Sequence, residues 1–430
     1  MKILLPLIVF LLPLTTRTLL ISFTPGFHEY ESIFLYAIDA LLILAAILFF
    51  LARRERSTQL HALSLLSLLL IGFFGSALTS LFFASLPLLA LYRVLRLGLV
   101  VVFALALTRF LKKDARHVPL LFSALAAGAV LESILAIVQF ARQGSAGLFF
   151  LGEPRLSVAG AGIAKIAIDG AKILRAYGTF PHPNMLGIFL VIGLCALVYL
   201  LKEQKRHFFI RSLRLCGGGI VLIGLTLTFS RTAWAAAVLV VCFFAAHLYR
   251  HGERKQAATF LLFVCISATA IAGSLWRFTL PRSALSWEEP AVTLRLSYLS
   301  VAVREILLHP EGVGLGNQVY ASVTTGAYRA EGLIHPWQWE PIHTIYLLIA
   351  VEIGVIGALS FIALLGILLW RLLRAGTFFS ATIAAMLAAL LLSGLTDHFL
   401  WSLFPGMLLL GIVFGMGLGV EDKSLPSFNG

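Results

Sequence analysis

"GLIHPWQWEPIHTIYLLIAVEIGVIG", residues 332–357, passes within a few positions from a polar, aromatic loop into a continuous apolar run. Two histidines, His335 and His343, stand at that seam, and Glu352 is carried into the run behind them. The run continues past 357 and exceeds the roughly 20 residues that cross a bilayer core. Tilt, a bend near Gly354 or an interfacial first turn is therefore expected.

Similar runs recur along all 430 residues, of which 60% are hydrophobic and 12% charged. A soluble chain carries about twice that charge, and the mean hydropathy is +0.97. The runs do not alternate, which excludes a membrane β-barrel. The expected fold is all-α, a polytopic integral membrane protein. "MKILLPLIVFLLPLTTR" at the start lacks a small-x-small cleavage site and reads as a retained first helix.

The net charge of +13 is no nucleic-acid signature. Much of it lies in short clusters between apolar runs: "RRER" (53–56), "KKDAR" (112–116), "KEQKRHFFIRSLR" (202–214), "RHGERK" (250–255) and "RLLR" (371–374). Placing these in the cytoplasm follows the positive-inside rule. Spans then fall near 3–22, 33–51, 60–83, 87–110, 117–140, 184–201, 215–230, 233–249, 257–275, 344–370, 376–396 and 399–419. That makes about twelve, with both termini cytoplasmic. The whole chain, 1–430, reads as one membrane domain with two outer segments, 141–183 and 276–343. The larger one, between the ninth and tenth spans, contains a plausible amphipathic helix from Leu294 to Leu307. Cys195, Cys216, Cys242 and Cys265 fall in or beside apolar segments and offer neither metal-ligand spacing nor a disulfide framework.

Several expected outer residues carry chemistry. In "TLTFSRTAW" (226–234) one span gives way to the next with almost no loop, and Arg231 stands at the turn. A guanidinium there needs a partner: a diphosphate fits, as does a salt bridge or a snorkelling position. In "RAYGTFPHPNMLGIFL" (175–190) two prolines hold off helix until Asn184, the expected cap. Arg175 and His182 thus lie beside a helix N-terminus, a setting that favours anions. His182 equally suits a plain helix start. Arg295 lies near the apolar stripe of the 294–307 helix, whereas Arg304 and Glu305 are assigned to its solvated face. The glycines of "EGVGLGN" (311–317) suit a tight turn rather than a phosphate loop.

His343 follows Pro341 and opens a span, where a near-neutral imidazole can take a proton from a hydroxyl. Glu352 lies nine residues on, roughly 13 Å along the axis, too far to be its direct partner. It serves either as a supporting group or as a buried carboxylate in helix packing. Asp397 and His398 in "LTDHFLW" (395–401) form another polar pair, structural or functional. Asp39, Arg93, Arg96 and Glu132 lie within spans and are expected to find polar partners inside the bundle.

Taken in order, "RAYGTFPHPNMLG", "SRTAW", "TLRLSYLSVAVREILLHPEGVGLGN" and "HTIYLLIAVEIGVIG" resemble the O-antigen ligase and O-antigen polymerase superfamily. The resemblance runs from about 175 to 360, and the span pattern extends it over most of the chain. Thr344 departs from it, standing where asparagine is common, as does Glu311, where an apolar or aromatic residue is usual. The resemblance implies an inverting glycosyltransferase needing no metal or other cofactor, at the outer face of the bacterial inner membrane. It implies an undecaprenyl-diphosphate-linked glycan as donor and a lipid, glycan or protein hydroxyl as acceptor. By position, Arg231 and Arg295 match the diphosphate-binding arginines, Arg175 matches more weakly, and His343 matches the essential histidine. Ligation onto an acceptor, polymerisation and oligosaccharide transfer to protein all remain open. A lipid-linked-glycan transporter or flippase is the alternative outside enzymes, and it predicts charges lining a passage at mid-membrane.

Overall fold

A computed structural model describes residues 1–25, 28–53, 65–203, 208–283 and 290–420. Parts of the basic clusters at 53–56 and 202–214, part of the 276–343 segment and the C-terminal 421–430 lie outside the described residues.

The chain begins with α1 (Leu4–Leu11), too short to cross a bilayer. Pro13 follows the helix end, and the chain then runs extended as β1 (Arg17–Ser22), paired antiparallel with β2 (Ser32–Tyr36). The spans expected at 3–22 and 33–51 are corrected accordingly. Proline and the β-branched Thr15, Thr16 and Thr18 favour strand over helix. Arg17 fastens the hairpin, its Nη2 donating to Glu29 Oε2 at 2.6 Å while its guanidinium lies 4.1 Å over the Phe34 ring.

Long helices then follow, as the apolar runs require: α2 (Asp39–Arg53), α3 (Leu65–Thr79), α4 (Pro87–Lys113) and α5 (His117–Arg142). A short β3–β4 hairpin (Lys165–Ile168, Ala171–Leu174) precedes α6 (Pro183–Glu203), α7 (Phe208–Leu227), α8 (Arg231–Arg250) and α9 (Arg254–Ser274). The 276–343 segment holds α10 (Trp276–Ser283), α11 (Pro290–Leu308), α12 (Gln318–Thr324) and α13 (Ala327–Ala330). The chain returns to the bundle with α14 (Ile345–Ala375), α15 (Phe378–Gly394), α16 (Phe399–Ser402) and α17 (Phe404–Leu418). Among the described residues, eight helices are long and apolar enough to cross a membrane, and three shorter apolar helices accompany them.

The core forms where α14 packs on α3, α5 on α6 and α7, α15 on α6 and α8, and α17 on α4. Leu95, Leu131, Val238 and Ile266 point outward, as lipid-facing side chains do. Charges inside the bundle find partners. Arg96 pairs with Asp39 (Nη2 to Oδ2, 2.7 Å), and Arg93 Nη1 donates to the Ser402 carbonyl at 2.6 Å. Glu132 accepts from the Thr179 N–H and hydroxyl, both at 2.8 Å.

The bend expected in α14 is present. Gly354 adopts φ 82°, ψ 167° inside the helix. The carbonyls freed there are taken by the glycine-rich turn: Val313 N–H bonds Val351 O (2.8 Å) and Gly314 N–H bonds Glu352 O (3.0 Å). Val355 N–H in turn reaches Pro310 O at 3.0 Å. The glycines form a tight turn, as expected, and the structure adds that this turn serves the helix break. The solvated place assigned to Glu305 is corrected: Arg304 is exposed, but Glu305 is buried and accepts from the Ser322 and Thr325 hydroxyls, each at 3.2 Å.

Gly354→Ala should lower thermal stability measurably, by about 1–2 kcal/mol for the left-handed backbone alone. A Cβ there would also sit 2.7 Å from Glu311 O, whereas one at Gly366 on the same helix meets nothing within 4 Å. Gly366→Ala should leave the melting temperature unchanged or higher in a fluorescence-monitored thermal ramp.

Candidate active site

The site assembles at helix ends. Pro341, buried, directs the chain into α14 and leaves His343 two residues short of the first helical position. His343 Nδ1 lies 2.9 Å from Pro341 O. A carbonyl only accepts, so Nδ1 carries the proton and the Nε2 lone pair is free. Tyr298 of α11 stacks flat on the imidazole (4.8 Å, 2°) and donates its hydroxyl to Gln338 O at 2.8 Å. Nε2 itself lies 3.4 Å from Glu340 Oε2.

A second group comes from the α15–α16 turn. The His398 ring stands edge-on to His343 at 4.9 Å, and its Nδ1 lies 2.6 Å from Ser402 Oγ. Ser402 Oγ donates to His398 O at 3.1 Å, so it accepts from the imidazole N–H. Asp397, buried, receives the His398 backbone N–H on Oδ1 and the Asn184 side-chain amide on Oδ2, both at 2.8 Å. Asn184 Oδ1 accepts from Arg175 Nη2 at 2.7 Å, and Arg175 Nε donates to Thr228 O at 2.7 Å. Helix α6 is capped by His182, whose Nδ1 accepts the Asn184 N–H at 3.2 Å. The capping role expected of Asn184 is thus corrected, and its side chain bridges Arg175 to Asp397 instead.

The groups tune one another. Burial pushes the His343 imidazole below its ordinary pKa; Asp397 pulls it back up, and Arg295 adds to the fall. Burial lowers His182 to about 4 and His398 to about 3 despite the opposing pull of Asp397. Burial alone would raise Asp397, but the surrounding histidines and the Asn184 amide hold it well below the usual carboxylate range. Glu340 keeps a side chain 46% exposed, yet loss of solvent on the protein side and the charge of Asp397 push it up to about 7.

The residues singled out from the sequence divide as follows. Arg295 is partly buried, and its charge acts on both His343 and His182. Its Nε is buried without a hydrogen-bond partner among the described residues. Arg231 is the first residue of α8, after the Ser230 cap. Its neighbour Thr232 meets Thr396, beside Asp397, hydroxyl to hydroxyl at 2.9 Å. Arg175 is buried in the Asn184 bridge. Glu352 stands apart, its carboxylate taking the Trp401 indole N–H at 2.7 Å. His335 is exposed and stacks on Trp337.

Glu340 went unnoticed in the sequence because one loop carboxylate carries no pattern. The Asp397–His398 pair was visible, but nothing in the sequence joined it to His343. One ligand atom each from Glu340, His343 and His398 lies within 4.8 Å of the others, a donor set that could hold a metal ion. Its members come from two separate segments, which is why no spacing announced it.

A bundle of apolar helices with buried imidazoles, a carboxylate and arginines gathered at helix ends is a helical membrane protein with a polar site at one layer of the bundle. Residues 216–362, about a third of the chain, match the O-antigen ligase family model. The chain is also similar to a General O-oligosaccharyltransferase of Acinetobacter baylyi, 27% identical over 106 residues. That stretch is 24% of this chain and 18% of the relative's length.

Asn184→Ala should leave Arg175 and Asp397 without the amide between them. A loss of about 1–3 kcal/mol is expected, the cost of unsatisfied buried polar groups, read as a lower unfolding temperature. Wild-type stability would mean that the bridge contributes nothing.

Proposed function

We propose that this protein is a glycosyltransferase that moves a glycan from an undecaprenyl-diphosphate carrier to an acceptor hydroxyl at the outer face of the bacterial inner membrane. One observation carries the reading: His343 has its Nε2 lone pair free, with a carboxylate 3.4 Å away and the charge of Arg295 acting on it. Base and anion-binding cation are thereby brought together from segments almost fifty residues apart.

In the proposed reaction the acceptor hydroxyl gives its proton to His343 Nε2, and its oxygen attacks the anomeric carbon of the donor. The bond from that carbon to the diphosphate oxygen breaks, and the electron pair leaves with the diphosphate. Arg231 and Arg295 stabilise charge that grows on the leaving group in the transition state. The imidazolium that forms lies beside the Glu340 carboxylate. Attack from the side opposite the leaving group inverts the anomeric centre. Arg175 acts through Asn184 and Asp397, His182 caps α6, and Glu352 supports the α14 bend from within the bundle.

Ligation onto a lipid or glycan is the preferred reading. Similarity to an O-oligosaccharyltransferase favours protein as the second acceptor class to test. A pure transporter fits less well, because His182, Arg231, His343 and Asp397 all stand at helix ends rather than along a passage.

Arg231→Ala and Arg295→Ala should each reduce transfer by about 10²–10³-fold, as removal of one oxyanion-stabilising donor does. His343→Ala should reduce it by about 10²–10⁴-fold. Glycan transfer by purified protein in detergent, at matched protein levels, measures all three, and full activity in all three would refute the assignment. Transfer should survive chelators. Loss with chelator and recovery with zinc would instead make Glu340, His343 and His398 a metal centre.

The pH profile supplies a further test. The base works unprotonated, so kcat/KM falls as acid protonates His343. Its lowered pKa places that limb on the acid side of 6.5. A limb near 7 would point to Glu340 as the group that must be ionised.

A further inference from the structure

The N-terminal hairpin, outside the matched residues 216–362, reaches this site. Its return turn is pinned at three points. Arg17 holds Glu29, Ser32 Oγ donates to His28 O at 2.7 Å, and His28 Nε2 meets Trp339 O at 3.1 Å. The last contact ties the hairpin to the residue before Glu340. Between these anchors Tyr30, partly buried, stands edge-on to His398 at 5.4 Å. Tyr298, His343, His398 and Tyr30 thus form a row of four rings, each touching the next.

The outermost hydroxyl of that row is unused. The Tyr298 hydroxyl is bound to Gln338 O, but among the described residues the Tyr30 hydroxyl has no hydrogen-bond partner. The phenol lies within electrostatic reach of Glu340, Glu29, Asp397 and Tyr298. Burial and these carboxylates hold its pKa well above the ordinary value, so it stays a neutral donor.

Resting on the transfer reading above, we propose that Tyr30 is a specificity-determining residue that binds the acceptor: its hydroxyl donates to an acceptor oxygen next to the reacting hydroxyl. The chemistry follows from counting donors and acceptors. Asp397, the His343 Nε2 lone pair and the ionised form of Glu340 accept hydrogens from a polyhydroxyl ligand. Oxygens of that ligand need a donor, and on this side Tyr30 offers one. The carboxylates that act on Tyr30 repel a diphosphate here. This side therefore suits a neutral, hydroxyl-bearing acceptor better than the anionic donor.

Tyr30→Phe removes the hydroxyl and keeps the ring against His398. In steady-state transfer with purified full-length protein, the acceptor KM should rise about 5–10-fold, the value of one neutral hydrogen bond. Donor KM, kcat and slow hydrolysis of the donor by water should stay within about twofold, as should the unfolding temperature, because no packing is lost. Tyr30→Ala, which also removes the ring, should impair hydrolysis as well by loosening His398. An unchanged acceptor KM in Tyr30→Phe, or a shift in donor KM instead, overturns the proposal. If His343→Ala is inactive while Tyr30→Phe matches wild type, only the Tyr30 assignment falls. If His343→Ala transfers normally, the reading beneath it falls too.

Discussion

A buried carboxylate must have its hydrogen bonds satisfied, and Asp397 meets that constraint by gathering helix ends around itself. The Asn184 amide brings the start of α6, and Arg175 behind it brings the α7–α8 turn through Thr228. The His398 N–H closes the other side, and the His398 ring then meets His343 at the mouth of α14. Removing one partner from such a network costs far more than one exposed hydrogen bond contributes, because the groups left behind stay buried. The position of His343 thus depends on residues more than two hundred positions apart.

On the proposed reading, the layer around Asp397 also balances charge. Asp397 and Arg295 act in opposite senses on His343 and His182, and burial keeps both imidazoles neutral. A neutral histidine is ready to accept a proton, and a row of stacked and edge-on rings limits how far it can turn. The membrane-spanning part contributes rigidity. The break at Gly354, with backbone bonds to the glycine-rich turn, locks the 276–343 segment against the helix that His343 precedes.

Much of this was legible in the sequence, for identifiable reasons. Apolar runs of membrane length announce helices whatever their packing, and the excess length behind His343 pointed to tilt, a bend near Gly354 or an interfacial first turn, of which the bend is found. Arg295 and Arg304 were separated correctly because helical periodicity puts them on different faces. The spans read at 3–22 and from 33 misled: their composition suits a membrane, and only Pro13 with the following threonines hinted at the strands found at Arg17–Ser22 and Ser32–Tyr36. Glu305 misled in the same way, since α12 and α13 cover a face that periodicity alone leaves open. The Glu340–His343–His398 cluster and the place of Tyr30 could not be read at all. They arise from tertiary contacts between the N-terminal hairpin, the loop before α14 and the α15–α16 turn, and no local pattern encodes such contacts.

The most direct measurement is a structure of the His343→Ala protein bound to a polyprenyl-diphosphate-linked glycan that it cannot turn over. The diphosphate should lie within ion-pair distance of both Arg231 and Arg295, with the anomeric carbon facing the space left by the imidazole. A donor bound elsewhere, or a diphosphate held without either arginine, would contradict the assignment.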